Sequence, residues 1–482
     1  MHDLTTRLSL MIALNAIETR LAAEPDSVGV RFDRARCIQA LGRADDALRA
    51  YGDVLARDPG HLRAMNALGL LLLDADQLAE AETVFGEAVA RHPDDAESRV
   101  NLAYVRGQLG DRASAREHYE VAVRLDPTSA LAQHGLAAVL EALGEESAAR
   151  HHRDLGFAQR PITELRYRGR GTPTRVLLVG TATDGNLVTR RLLDDRVFLT
   201  YALVVEHYDP ATPLPPHDLV VNAIGEADVC APQLAAVQAI LGVTSAPVVN
   251  HPSAVLTTGR EAIARRLRDL PDVLTPTIVR FPRAVLAGAS AGTALANQGL
   301  RPPFLLRAPG HHGGKHFERV DDLAALPAAL AQLPGDELLA ISFLDARGAD
   351  GNIRKYRVMI VDGRLYPLHL AIGERWKLHY FSADMANSAA HRTEEAAFLA
   401  DLPTTLGPRA MTALKRISAE LGLDYAGIDF GVDRDGRVLV FEANATMVVP
   451  PADPEPAFAY RRPAAERIIA AVHTMLLARA ER

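Results

Sequence analysis

The sequence predicts a multidomain protein in which an N-terminal α-solenoid is followed by an α/β domain and then by an α+β domain. Three observations support this prediction. A 34-residue period runs through the first third of the chain, strand patterns alternate with helical patterns from residue 175 onwards, and an acidic hairpin lies at 425–447. The length of 482 residues fits about three domains.

Composition narrows the classes of function. The net charge of −7 at pH 7 gives no sign of a nucleic-acid binder. The two cysteines, Cys37 and Cys230, imply no disulfide framework and fit a reducing cytosol. No apolar run approaches the roughly 20 residues that a membrane span needs, and residues 1–26 have the pattern of an amphipathic helix, not of a signal peptide. We therefore expect a cytoplasmic protein that binds neither nucleic acid nor membrane.

Four kinds of residue recur every 34 positions in the first 161 residues. They are proline (Pro25, Pro59, Pro93, Pro127, Pro161), a small residue (Ala35, Gly69, Ala103, Ala137), alanine (Ala47, Ala81, Ala115, Ala149) and an aromatic residue (Tyr51, Phe85, Tyr119), which is replaced by Arg153 in the last unit. Small residues let paired helices approach, the aromatic fills the gap between pairs, and proline ends the second helix.

This pattern resembles tetratricopeptide repeats, with four units from about residue 26 behind an N-terminal helix. The resemblance implies a concave groove over residues 1–161 that takes a peptide or protein substrate. A spacer or dimerisation arm without a ligand is an equally good interpretation of the sequence.

The segment 162–174 is basic and contains glycine and proline, which predicts a linker. From 175 to 255 we expect a parallel sheet with helices on both faces, with strands at 175–180, 198–207, 218–225 and 246–252 and a strand-to-helix turn directly after Gly180. Gly180–Gly185 lacks the G-x-G-x-x-G pattern, so no dinucleotide site is predicted. This domain either contacts substrate or is only a structural layer.

The chain from 256 to 482 carries the groups able to do chemistry. A glycine-rich loop with Gly313, Gly314 and Lys315 follows a strand at 304–307 and could hold phosphate through backbone N–H groups, although a plain glycine turn is the simpler alternative. Zinc binding by His311, His312 and His316 is a minor alternative. Arg354 and Arg357 belong to a predicted hairpin around 362–363, where guanidinium groups could bind a triphosphate.

Two further segments surround the acidic hairpin. The stretch from Glu374 to Thr393, with Trp376 and Lys377, is predicted to be a mobile substrate loop. A helix is predicted at 405–421, directly before the hairpin.

In the acidic hairpin a tight turn at 433–436 joins two strands. An even-numbered loop would place Asp429 opposite Val440. Glu442 would then be the diagonal neighbour of Asp429, and Asn444 would share the face of Glu442. Two carboxylates and an amide oxygen form an all-oxygen set that suits Mg²⁺. An edge hairpin with a merely hydrated polar face is the alternative.

The order of these parts resembles the ATP-grasp superfamily, in the branch of glutathione synthetase and the RimK-like amino-acid ligases. The resemblance covers about 175–482, as a pre-ATP-grasp domain (175–255) and an ATP-grasp domain (256–482), and its most specific motif is Asp429-Phe430 with Glu442-Ala443-Asn444.

The resemblance assigns roles to individual residues. It implies that Asp429, Glu442 and Asn444 hold Mg²⁺ between the phosphates of ATP. Arg260 and Arg307 stand where nucleotide-binding lysines are usual, and Asp345 stands beside adenine and ribose. Arg357 supports the transferred phosphate. Together with Arg354 and Lys377 it completes the set of candidate catalytic residues.

The activity so implied is an ATP-dependent carboxylate–amine ligase, which forms an amide through an acylphosphate and takes a small-molecule amine or amino acid as its second substrate. A repeat scaffold with a nucleotide-binding but inactive ATP-grasp body is the alternative, and phosphoryl transfer to a hydroxyl group is a third. The oligomeric state stays open, although homodimers are common in the resembled family.

Overall fold

The structure is a computed structural model that describes residues 2–310, 315–378, 383–451, 453 and 455–481. The chain divides into two compact units, Met1–Arg160 and Pro161–Arg482.

Unit 1 is a helical solenoid. Its described residues form nine helices, which are α1 (His2–Ala23), α2 (Val28–Ala40), α3 (Ala44–Arg57), α4 (Leu62–Asp74), α5 (Leu78–Arg91), α6 (Ala96–Gln108), α7 (Arg112–Leu125), α8 (Ala130–Ala142) and α9 (Glu146–Gln159). Consecutive helices pack against each other, and the four pairs behind α1 correspond to the four predicted units.

The periodic residues of unit 1 lie where the period predicts. The alanines and aromatics of the repeats are buried, and Phe85 and Tyr119 pack on the glycines Gly69 and Gly135 of neighbouring helices. A Cβ atom on Gly69 would lie 2.5 Å from the Phe85 ring, so a small residue is required there. In the last unit, Arg153 replaces the aromatic and donates a hydrogen bond to Glu141 at 2.7 Å.

Unit 2 begins with a five-stranded sheet whose strand order is β1-β3-β2-β4-β5. Its strands and the helices that follow are β1 (Ile162–Glu164), β2 (Thr174–Gly180), β3 (Phe198–Val204), β4 (Leu219–Asn222), β5 (Val248–Val249), α10 (Ala231–Leu241), α11 (Pro252–Val255) and α12 (Arg260–Leu267). Strands β2 to β5 are parallel, as expected, whereas β1 pairs antiparallel with β3.

Two predictions for this region are wrong. Residues 162–164 were expected to belong to a linker but form the edge strand β1, because they continue the sheet beside β3. The predicted helix after Gly180 is absent from the described residues 181–197. Instead, the Asn186 side chain accepts a hydrogen bond from the Thr181 N–H at 2.9 Å and donates one to the Thr181 carbonyl at 2.7 Å, which closes a loop.

A four-stranded antiparallel sheet of order β7-β10-β8-β9 comes next. The elements from residue 273 to 342 are β6 (Val273–Leu274), β7 (Ile278–Pro282), α13 (Arg283–Ala287), α14 (Ala291–Asn297), β8 (Phe304–Arg307), β9 (Phe317–Val320), α15 (Leu326–Ala331) and β10 (Glu337–Ser342). Phe304 and Leu306 of β8 are fully buried in the core of this sheet.

The last sheet has the order β12-β11-β13-β14-β6. Its remaining elements are β11 (Ile353–Val361), β12 (Arg364–Gly373), α16 (Ala389–Ala400), α17 (Leu402–Leu421), β13 (Tyr425–Val432), β14 (Val438–Asn444) and α18 (Arg462–Ala480). Asp362 and Gly363 both have positive φ, as the predicted turn between β11 and β12 requires.

Helical boundaries in this part differ from the sequence prediction. Helix α17 starts three residues before the predicted 405, because the Asp401 side chain accepts a hydrogen bond from the Thr404 N–H. It is kinked at Gly407, which has a φ of 76° and precedes Pro408. The predicted substrate loop is shorter than expected, since α16 already begins at Ala389.

Candidate functional site

Unit 2 contains a cavity of about 1750 Å³ lined by residues of the four-stranded antiparallel sheet and of the last, mixed sheet. Sites for small ligands usually measure about 300–1,000 Å³. This cavity therefore has room for a nucleotide together with a second substrate.

The acidic hairpin supplies one wall of the cavity, but its register differs from the prediction. Val432 pairs with Val438, so that five residues form the turn, and a bulge between Asp429 and Phe430 then shifts the pairing by one residue. Asp429 consequently faces Glu442 directly and does not face Val440. The odd turn and the bulge offset each other, so both carboxylates still lie on one face.

Asp429 is fully buried and held by two cations of β11. Arg357 donates to both carboxylate oxygens, from Nε at 2.5 Å and from Nη2 at 2.8 Å, and the Lys355 Nζ lies 2.7 Å from Oδ2. Burial alone would raise the pKa of Asp429, but Arg357 and Lys355 outweigh it and hold this pKa well below its usual range. Asp429 is therefore an anion at all physiological pH values.

Glu442 and Asn444 continue the same face. Glu442 Oε1 accepts hydrogen bonds from the Arg260 Nη2 at 2.7 Å and from the Asn444 Nδ2 at 2.9 Å. Burial would raise the pKa of Glu442, yet Arg260 lowers it below its usual range. The Asn444 Oδ1 accepts from the Thr446 N–H and hydroxyl, both at 3.0 Å. The structure thus brings together the three predicted metal ligands.

Arg260 and Arg307, the predicted nucleotide-binding cations, both line the cavity. Arg307 is 7% exposed, and its guanidinium lies 5.4 Å from the centre of the Phe317 ring. Burial and the nearby charge of Arg260 lower the pKa of Arg307 to about 10. Two cations held close together in a cavity attract an anion, because bound negative charge relieves their repulsion.

The structure contradicts the prediction for Arg354. Its guanidinium pairs with Asp350 and Glu394, at distances of 2.5–3.0 Å, on the opposite face of β11 from the cavity. The neighbouring Lys355 faces the cavity instead, because successive side chains of a strand point to opposite faces. Sequence reasoning missed Lys355, although its spacing of two from Arg357 could have revealed it.

The remaining predicted site residues divide into three groups. Lys377 lines the cavity and donates to the Phe317 carbonyl at 3.0 Å, and the Trp376 ring packs edge-on against Phe317. Asp345 is exposed and does not line the cavity; it accepts from the Arg347 N–H at 3.1 Å. Lys315 is exposed, while Gly313, Gly314, His311 and His312 lie outside the described residues.

The α/β domain also contributes to the cavity, which the sequence left open. Glu226, in the loop after β4, lines the cavity together with Thr258. Gly225 allows this loop to approach, since a Cβ atom there would lie 2.9 Å from the Ala445 carbonyl carbon and 2.7 Å from the Thr446 methyl group. No motif signals Glu226, because it reaches the site through a loop that packs on the end of β14.

The donor chemistry of this wall fits a magnesium–nucleotide complex. Among the described residues no three His, Cys, Asp or Glu side chains cluster as a metal site. Two carboxylates and one amide oxygen are an incomplete set for Mg²⁺, which usually completes its shell with water and substrate phosphates. The cations beside these oxygens suit those phosphates.

Comparisons with known proteins concern unit 1. Residues 39–102 and 96–129 match two tetratricopeptide-repeat family models. The N-terminal part of the chain, about 150 residues, is a tetratricopeptide-repeat array. This confirms the solenoid prediction, and such arrays are typical protein-interaction scaffolds.

Solved structures similar to this chain include three bacterial proteins. MamA from Desulfovibrio magneticus RS-1 is 22% identical over 33% of this chain and 89% of its own, with a TM-score of 0.30. Pseudomonas aeruginosa PilF is 25% identical over 32% of this chain and 69% of its own, with a TM-score of 0.30. A thermophilic tetratricopeptide-repeat protein of Thermus thermophilus is 22% identical over 33% of this chain and 87% of its own, with a TM-score of 0.28. No curated protein matches the chain. Among the described residues, none of the helices could span a membrane.

Proposed function

We propose that this protein is an ATP-dependent carboxylate–amine ligase of the ATP-grasp type, whose repeat array recruits a peptide or protein substrate. The observation that carries the proposal is the convergence, in one cavity, of three metal-suited oxygen ligands and four cations. These groups are Asp429, Glu442, Asn444, Arg260, Arg307, Lys355 and Arg357.

In this proposal Asp429, Glu442 and Asn444 hold Mg²⁺, which neutralises negative charge on the phosphates of ATP. Arg260 and Arg307 bind the phosphate chain, and Arg357 supports the phosphoryl group in transfer. The substrate carboxylate forms a new O–P bond as the bond to ADP breaks. The amine nitrogen then attacks the acyl carbon, phosphate leaves, and the nitrogen loses a proton.

An acylphosphate must be shielded from water until the amine arrives. Trp376 and Lys377 serve this purpose in the proposal, because both line the cavity just after β12 and both contact Phe317 at the start of β9. Their contacts connect the two sheets across one side of the cavity. Opening this connection would admit substrate, and closing it would exclude solvent.

The test is to incubate the full-length protein with ATP, Mg²⁺ and pairs of amino acids and short peptides, measuring ADP, phosphate and new amide products by mass spectrometry. We expect turnover with at least one pair and a loss of about 100-fold or more in Glu442→Gln. Asp345→Asn is the matched control, since Asp345 lies outside the cavity lining. A protein that binds no nucleotide would refute the proposal.

A nucleotide-binding but inactive body is the second candidate, and one observation favours it. Both carboxylates of the candidate metal site are ion-paired with arginines of the chain itself. Permanent pairs of this kind would exclude Mg²⁺ and prevent phosphoryl transfer. This candidate predicts that ATP binds tightly while no tested substrate pair releases ADP.

Recruitment of a peptide is assigned to the first helices of the repeats. Leu70 and Tyr104 occupy the same position in successive repeats and are 41% and 49% exposed. Large apolar side chains exposed at one repeat position form a surface suited to a partner. Tyr104→Ala should raise KM for a peptide substrate and leave kcat unchanged, whereas an unchanged KM would contradict this assignment.

A further inference from the structure

Most oxygen atoms of the candidate metal site are already bonded within the protein, although the Glu442 side chain keeps 26% of its surface exposed. Asp429 has no exposed surface, because Arg357 bonds both of its oxygens and Lys355 contacts Oδ2. Glu442 Oε1 is bonded by Arg260 and Asn444, and the Asn444 Oδ1 accepts twice from Thr446. A divalent cation that approached this wall would have to displace these contacts.

The charge balance of the wall opposes a bare cation as well. We define the charged cluster as four cations and three carboxylates that line the cavity, Arg260, Arg307, Lys355, Arg357, Glu226, Asp429 and Glu442. Cations outnumber carboxylates by one, so the cluster favours an anion over a bare divalent cation. A nucleoside triphosphate carries more negative charge than this surplus, and its binding would reverse the sign of the site.

The covering cations are placed so that they can move from the carboxylates to a phosphate. The Arg357, Lys355 and Arg260 side chains are 21%, 20% and 17% exposed, and all three line the cavity. The Arg357 guanidinium, which bonds Asp429 through two parallel hydrogen bonds, can bind a phosphate with the same pair, and Arg260 and Lys355 each exchange a single contact. The carboxylates released in this way would become available to a metal ion.

We infer that nucleotide and metal bind in a linked order, in which a triphosphate first draws Arg260, Lys355 and Arg357 away from Asp429 and Glu442 and thereby creates the divalent-cation site. This inference rests on the proposed function. It adds that the metal site does not exist before the nucleotide is bound, and that the ion pairs are a reversible cover and not a permanent block.

Manganese binding tests this order directly, since Mn²⁺ accepts the same oxygen ligands and free Mn²⁺ is measured by electron paramagnetic resonance. Wild-type full-length protein should bind ATP in EDTA by calorimetry. It should retain no Mn²⁺ by itself at concentrations up to about tenfold above the one that half-saturates its complex with a non-hydrolysable ATP analogue.

Variants distinguish the loss of the contacts that cover the carboxylates from a general loss of positive charge in the cavity. Arg260→Gln combined with Lys355→Gln removes the arginine contact on Glu442 and one of the two contacts on Asp429 Oδ2, and it should gain Mn²⁺ binding without nucleotide. The matched control, Arg375→Gln with Lys377→Gln, removes the same two charges from the cavity but leaves the covering contacts intact, so it should gain none. Each single uncovering variant should show a smaller gain, which provides a second measurement if the double variant does not fold.

Each outcome decides between the two proposals. Retention of Mn²⁺ by the wild-type protein alone would overturn the inferred order and leave the ligase proposal standing. The same holds if the uncovered variant gains no more Mn²⁺ than the control. Failure of ATP to bind, with and without Mn²⁺, would instead reject the proposed function.

Discussion

Asp429→Asn should destabilise unit 2, and the structure allows the magnitude to be worked out. The carboxylate is fully buried and has three charge-assisted contacts, two from Arg357 and one from Lys355. Removing one partner of a fully buried ion pair costs about 3–5 kcal/mol. Because Arg357 and Lys355 keep about a fifth of their surface exposed, water partly compensates their charge, and we expect a loss of about 2–4 kcal/mol.

Urea unfolding followed by the fluorescence of Trp376 measures this loss. Trp376 is the only tryptophan of the chain and lies in unit 2, so the signal is independent of unit 1. Asp345→Asn is the control, since the Asp345–Arg347 pair is exposed and 3.9 Å apart, and it should change the free energy of unfolding by less than about 0.5 kcal/mol. Equal effects of the two substitutions would refute the reasoning.

The same variant makes a prediction about pH. The pKa of Asp429 is depressed in the folded protein, so its contribution is fully present above about pH 3.9, the pKa of aspartate in an unfolded chain. The contribution is lost as the pH falls below that value towards the folded-state pKa. The difference in unfolding free energy between wild type and Asp429→Asn should therefore be constant from about pH 7 to about pH 5 and shrink below about pH 4.

Two further substitutions test the packing of each unit. Glu395→Ala removes the fully buried acceptor of the Arg461 Nε and Nη2 hydrogen bonds. It should lower the free energy of unfolding by about 3–5 kcal/mol in the same urea assay. A loss below about 1 kcal/mol would show that the pair is dispensable. Gly69→Ala should lower the stability of unit 1 by about 1–3 kcal/mol in thermal unfolding followed by circular dichroism, because the new methyl group would overlap Phe85. Gly86→Ala, with no atom within 4 Å of its Cβ position, should be neutral or stabilising.

The solenoid could be predicted from the sequence because its contacts are local. Each helix packs mainly on the next one, so a residue such as Phe85 and the small Gly69 that accommodates it lie within one repeat of each other. The segment after Gly180 depends on side-chain hydrogen bonds instead. The Asn186 side chain bonds the backbone of Thr181, and the backbone of Asn186 forms an isolated β-bridge with Ile224. Neither contact is visible in the spacing of apolar residues.

The candidate site was predictable in its composition but not in its register. Period-2 alternation placed Asp429 and Glu442 on one face, and only the structure shows that a five-residue turn and a bulge produce this arrangement. The same limit explains the error at Arg354. Several cations stand together in that strand, and the face that each one takes is set by the pairing of Arg357 with Asp429 across β11 and β13.

The side chain of Asn250 joins two parts of unit 2 that the sequence presents as separate domains. It lies just after β5, and it exchanges two hydrogen bonds with the backbone of Tyr425 in β13, at 2.8 and 2.9 Å. Gly225 brings the preceding loop onto the end of β14 in a similar way. Replacing residues 175–255 by the corresponding segment of a distant relative would remove these contacts to the strands β13 and β14. We therefore expect residues 175–255 and the acidic hairpin to be inherited together.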